Sequence, residues 1–135
     1  ISVDMAEHNR LGALGEEVAC RYLSSLDYRL LERNWRVGHL EVDIIADNYG
    51  ELVFVEVKTR SREGEFTALG AVDVHKQRNL AVAAEAYMQE HYLNCSYRFD
   101  VITVVGEQEP FEVTHYIDAY SVDLTRRKHY IHKFY

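Results

Sequence analysis

The sequence predicts an α/β fold, a mixed central sheet flanked by helices, in the order helix, three strands, helix, strand and one further strand. Apolar residues recur at helical spacing over 9–26 and 73–92. Period-two runs rich in β-branched residues occupy 28–37, 40–46, 52–58 and 97–105. A turn signal, Asp47-Asn48-Tyr49-Gly50, joins the second and third of these runs into a hairpin. The 135 residues suit one domain with a proper core, read as residues 5–120, followed by a basic and aromatic tail over 121–135. Residues 1–4 precede Met5, a natural start, and are set aside as foreign to the fold.

In the first helix Leu11, Leu14, Val18, Tyr22 and Leu26 supply the apolar face, and Asn9 is a candidate cap. Gly12, Gly15 and Ala19 form a small-residue stripe beside that face. Glycine lowers helix propensity, so two of them predict a backbone packed closely on a neighbour. Glu16 borders the stripe whereas Glu17 lies off the far edge, which makes Glu16 the better candidate to reach the hairpin. A surface glutamate is the alternative reading of that position. Residues 28–37 form a first strand. Residues 61–65, Ser-Arg-Glu-Gly-Glu, read as a mobile polar loop. The second helix opens on Asp73, a good N-cap, and buries Leu80, Ala83, Ala84 and Tyr87. Its first turn carries Lys76 and Gln77, where backbone N–H groups and the helix dipole favour anions. Residues 97–105 form a strong strand with Asp100 inside it, and 111–117 an edge strand after Pro110.

The hairpin carries the chemistry. With a two- or four-residue loop, residue i faces residue 99 − i, so Asp43 faces Glu56 and Glu41 faces Lys58. Opposed like charges destabilise a sheet, and aspartate is a poor strand residue. Such a break of local rules marks function. A divalent cation held by the two carboxylates removes the conflict, and Mg²⁺ takes one or two carboxylates while keeping waters for phosphate. Lys58 lies two residues from Glu56, on the same strand face. The competing reading is a cross-strand ion-pair cluster on a solvated face.

A net charge of −7 argues against a general nucleic-acid binder, although charge acts locally. Arg33, Arg36, Lys58, Arg60, Arg62, Lys76 and Arg78 cluster in sequence around the hairpin site, and a merely solvated basic face is equally compatible with them. Cys20 and Cys95 make no metal spacing and carry no activating signature, which points to reduced thiols and a cytoplasmic protein rather than cysteine catalysis. No apolar run spans a bilayer, no signal peptide is present, and the scattered histidines make a poor zinc site.

Asp43, followed after a turn by Glu56-Val57-Lys58, resembles the signature of the PD-(D/E)XK nuclease superfamily. More narrowly, the chain is similar to the uncharacterised YraN-like family of small bacterial proteins. The matching segments are Gly12-x-x-Gly15-Glu16, Arg33-Asn34-x-Arg36, Glu41-Val42-Asp43-Ile44-Ile45-Ala46, Phe54 to Arg60 and Arg98-Phe99-Asp100-Val101. The resemblance implies a restriction endonuclease-like αβββαβ core and metal-dependent phosphodiester hydrolysis. On this reading Asp43, Glu56 and the Val57 carbonyl hold Mg²⁺ or Mn²⁺, with Glu16 binding directly or through water. Lys58 orients the attacking water or stabilises charge on the phosphate. Arg36, Arg60, Arg62, Lys76 and Gln77 are candidate nucleic-acid contacts, while Glu41 and Asp100 surround the site. The expected partner is nucleic acid, DNA rather than RNA, with no membrane and with a homodimer open. A non-hydrolytic nucleic-acid binder on the same fold and a protein-interaction module remain as alternatives.

Overall fold

The hairpin read from the sequence sits in the interior of the sheet. The computed structural model describes residues 2–62, 72–125 and 131–132, with side chains for 5–62 and 72–125. Its elements are α1 (Ser2–Ser25), β1 (Arg29–Val37), β2 (Leu40–Asn48), β3 (Glu51–Arg60), α2 (Val74–Glu90), β4 (Tyr97–Val105), β5 (Glu112–Ser121) and β6 (Ile131–His132). The αβββαβ order is therefore present. The strands form one sheet in the order β1-β2-β3-β4-β5-β6. Only β3 and β4 run parallel; every other neighbouring pair is antiparallel. A parallel pair needs a long crossover, and the segment containing α2 supplies it.

Register follows from the turn. Asn48 pairs with Glu51, leaving Tyr49 and Gly50 as a two-residue loop with φ of 52° and 94°. Positive φ at both positions matches the twist of flanking strands. The ladder then runs through Ile45↔Phe54 to Ile44↔Val55. Alternation sorts side chains onto two faces. Ile44, Val53, Val55, Ile102 and Val104 meet Val18, Ala19 and Leu23 of α1. Ile45, Phe54, Phe99 and Val101 meet Leu80, Ala83, Ala84 and Tyr87 of α2.

Three expectations change. Helix α1 begins at Ser2, well before residue 9. The close approach expected of the glycine stripe occurs at Gly15, where a Cβ would fall 1.9 Å from Thr59 Oγ1, but not at Gly12, where it would meet nothing within 4 Å among the described residues. Strand β5 extends to Ser121 and is not the sheet edge, because Tyr120 and Ser121 pair with β6. The alternation that marked 111–117 stops where the β4–β5 register shifts, between Phe99↔Tyr120 and Val101↔Tyr116, around Asp118 at φ 53°. Residues 63–65 of the expected polar loop lie outside the described residues, as do residues 126–130 and 133–135 of the tail.

Candidate metal centre at a strand fork

Strand β2 leaves β3 at Asp43. The β2–β3 ladder ends at Ile44↔Val55, whereas β2 keeps pairing with β1 as far as Val37↔Leu40. Asp43 Oδ2 accepts the Val57 N–H at 2.8 Å, so a side chain caps β3 where the strand partner departs. In an antiparallel ladder a residue directs its N–H and C=O to the same side. The Val57 carbonyl therefore also faces the fork.

Glu56 stands on the α2 face beside it, only 4% exposed. Lys58 Nζ and Lys76 Nζ each lie 3.6 Å from Glu56 Oε2. Glu56 Oε1 is buried with no hydrogen-bond partner, the sole carboxylate oxygen so placed among the described residues. Burial and the Asp43 charge push the Glu56 carboxyl up to about 7, against the opposing pull of Lys76 and Lys58. Burial also raises Asp43, although the Val57 N–H, Lys76 and a hydrogen bond shared with Glu56 work against the rise. The two carboxylates thus hold a proton between them near neutrality, or need a cation in its place.

Cavities open on both sides of the fork. One of about 230 Å³ is lined by His39, Leu40, Glu41, Asp43, Lys76, Asn79 and Leu80. Another, of about 170 Å³, is lined by His8, Gly12, Glu16, Val57, Lys58, Thr59 and Arg60. Glu16 is half-buried, raised by desolvation and by the Asp43 charge and lowered by a hydrogen bond with Asn34. No group of three or more His, Cys, Asp or Glu residues is gathered to hold a metal among the described residues. The available donors are two carboxylates and a carbonyl, all hard oxygens. That set fits Mg²⁺ or Mn²⁺, which retain waters, and does not suit zinc.

The remaining sequence candidates divide. Glu41 does not meet Lys58; its Oε2 lies 3.4 Å from Arg36 Nη2, its register partner on β1. The reason is the fork itself, which carries Glu41 away from β3. Arg60 is half-buried and donates to the Thr59 carbonyl at 2.7 Å, and Arg62 is exposed just beyond β3. Gln77 is 1% exposed, and its amide nitrogen donates to the Val72 carbonyl at 3.1 Å. It lies under α2, on the sheet-facing side one turn before Leu80, and its Oε1 is buried with no partner among the described residues.

Asp100 belongs to a different assembly. Paired with Val55, it points to the α1 face, away from Glu56. It receives Arg98 Nε at 3.0 Å, His115 Nε2 at 2.7 Å and the Asp118 N–H at 2.9 Å. Arg98 also reaches Glu51 and the Tyr28 hydroxyl, and His115 Nδ1 lies 3.1 Å from the Tyr22 hydroxyl. This network fixes the β5 bulge and the end of α1. Sequence reasoning missed His115 and the reach of Lys76; the one available signal was the placement of Lys76 in the first turn after Asp73.

Fold and site together define a mixed α/β protein of αβββαβ order with a carboxylate–lysine cluster where two strands part. The model of the uncharacterised protein family UPF0102 matches residues 15–104, and the chain belongs to that family. It is 46% identical over 116 residues to a UPF0102 protein of Bacteroides thetaiotaomicron, covering 86% of this chain and 96% of the relative. A UPF0102 protein of Bacteroides fragilis is 44% identical over the same shares, and one of Flavobacterium psychrophilum is 39% identical over 86% and 98%. No helix among the described residues is long and apolar enough to cross a membrane.

Proposed function

We propose that this protein is a metal-dependent nuclease of the PD-(D/E)XK type, hydrolysing phosphodiester bonds in nucleic acid, DNA in preference to RNA. The observation that carries the reading is Glu56 Oε1, a buried carboxylate oxygen with no donor among the described residues, beside Asp43 at the fork. A buried carboxylate pair left uncompensated is costly, and proteins retain one where a cation or a reaction uses it. Asp43, Glu56 and the Val57 carbonyl would hold Mg²⁺ or Mn²⁺, which when bound polarises a phosphoryl oxygen and lowers the pKa of a water. Lys58 is placed to orient the nucleophile and to offset charge growing on the phosphoryl oxygens. Lys76 brings a second ammonium to the same carboxylate from the opposite helix and is exposed enough to meet a neighbouring phosphate. Glu16 borders the α1-side cavity and would bind through water.

The test is cleavage of labelled single-stranded, branched and duplex oligonucleotides with Mn²⁺, comparing wild type with Glu56→Ala and Lys58→Ala. Metal-dependent cutting by wild type, lost in both variants, is expected. Cutting that survives both substitutions would belong to a contaminant. Binding without cutting by wild type would support the non-hydrolytic reading instead.

A further inference from the structure

Among the described residues nothing packs on Gly12 closely enough to require glycine. It lies inside α1, where glycine costs about 1 kcal/mol relative to alanine. Gly15, one turn on, is forced by Thr59, yet a Cβ at Gly12 would meet no atom of the described residues within 4 Å. The space beside Gly12 is the α1-side cavity at the fork, shared with Glu16, Lys58 and Arg60. That cavity continues into a depression of about 500 Å³ that adds Leu11 and Ser61, and the two share His8, Thr59 and Arg60. His8, Gly12 and Glu16 fall at i, i+4 and i+8, one ridge of the helix. The groove therefore runs between that ridge and the last residues of β3, and the missing Gly12 side chain leaves open its narrower end, nearest Val57 and the fork.

We propose that this groove seats one unpaired nucleotide flanking the scissile phosphate, so the substrate is a single strand or a strand with an extruded nucleotide. The inference rests on the nuclease reading and narrows its substrate. The larger depression, about 500 Å³, has the volume of a small-ligand site, of the order of 300–1,000 Å³, and the smaller one extends it toward the fork. A duplex, with grooves about 6 and 12 Å wide between two backbones, does not enter such a space, whereas enzymes that take a base out of the stack hold it in a pocket of this scale. Charge is distributed to match. Arg60 borders the cavity from β3, its guanidinium held by the Thr59 carbonyl, and Lys58 borders it where it meets the fork, its ammonium at Glu56, so a backbone phosphate passing from groove to fork would meet both. Leu11 and the His8 ring give the opposite wall an apolar and a flat surface for a base, as single-strand grooves use. The chain as a whole carries −7, so a broad electrostatic grip on duplex is not its device.

The experiment measures binding, not cleavage: fluorescence anisotropy of a labelled single-stranded oligodeoxynucleotide and of its blunt duplex, with Ca²⁺ in place of Mg²⁺. Wild type should bind the single strand roughly tenfold or more tightly than the duplex. Gly12→Leu should remove at least that preference, because the new side chain fills the groove. Its melting temperature should hold or rise, because leucine is the better helix former. Gly12→Ala serves as the folding control and should be at least as stable as wild type. Equal affinity for both forms, or a Gly12→Leu protein that binds single strand like wild type, overturns the proposal. So does a loss of stability in Gly12→Ala, which would mean the space is not open. Tight, Gly12-dependent single-strand binding without cutting in Mn²⁺ supports the groove and removes the nuclease reading. Cutting of duplex and single strand alike, indifferent to Gly12→Leu, does the reverse.

Discussion

Glutamine at position 56 should make the metal-free protein more stable at pH 8, although it deletes a charge that two lysines approach. The folded carboxyl is raised from 4.5 to about 7, and Glu56 is 4% exposed, so solvent screening discounts little. A carboxyl with a raised folded pKa binds more protons folded than unfolded between those two values. Stability therefore falls as pH rises from about 4.5 to about 7 and is level above that. A shift of this size corresponds to about 3 kcal/mol. Glutamine copies the neutral form in shape and cannot ionise. Glu56→Gln should thus match wild type within about 0.5 kcal/mol at pH 4.5 and exceed it by up to about 3 kcal/mol at pH 8, or roughly 10 °C in melting temperature for a chain of this length. Urea denaturation in EDTA from pH 4.5 to 8.5 measures both. A glutamine variant that is less stable than wild type at pH 8, or a gap that ignores pH, would refute the reasoning.

Mg²⁺ or Mn²⁺ should raise the wild-type melting temperature by an amount equivalent to about 2.7 kcal/mol at a hundredfold excess over the dissociation constant, and Asp43→Ala should abolish the rise; equal shifts in the two proteins would reject the site. Lys58→Ala should cut cleavage by roughly 10²-fold or more with metal-induced stabilisation retained, and Lys76→Ala should instead weaken nucleic-acid binding and flatten its salt dependence by about one unit of slope. Asp100→Ala should cost about 3 kcal/mol in urea denaturation, because it leaves His115 Nε2 and the Asp118 N–H without their acceptor while Arg98 keeps Glu51 and Tyr28, and metal binding at the fork should stay unchanged. Gly15→Ala should cost about 1–3 kcal/mol through its clash with Thr59, which circular dichroism melts would show against Gly12→Ala.

Much of the fold was legible because local chemistry decides it. Tyr49-Gly50 sets the hairpin loop, and the loop sets a register in which Asp43 and Glu56 come together. Asp73 announces α2 by its side chain, whose Oδ1 accepts the Lys76 N–H at 2.8 Å. What escaped depends on where elements meet rather than on how each is patterned. Perfect hairpin symmetry put Glu41 opposite Lys58, but the strands separate first, so Glu41 finds Arg36 instead. Gln77 read as a polar helix residue near anions, yet the crossover rotates it beneath the helix while Lys76 reaches Glu56. Asp100 read as a residue surrounding the site; its partner His115 lies on a strand fifteen residues away, joined through a bulge that no periodicity reveals. The glycine stripe was visible, but only packing separates Gly15, pressed on β3, from Gly12, open to the groove.

The central claim is a cation seat formed by Asp43, Glu56 and the Val57 carbonyl. Crystals soaked in Mn²⁺ and measured at the manganese edge test it most directly. The account predicts an anomalous peak within coordinating distance of one oxygen from each of Asp43 and Glu56, absent from crystals of Asp43→Ala. A fork without manganese, with Glu56 still bonded to Lys58 and Lys76 at saturating metal, would contradict it.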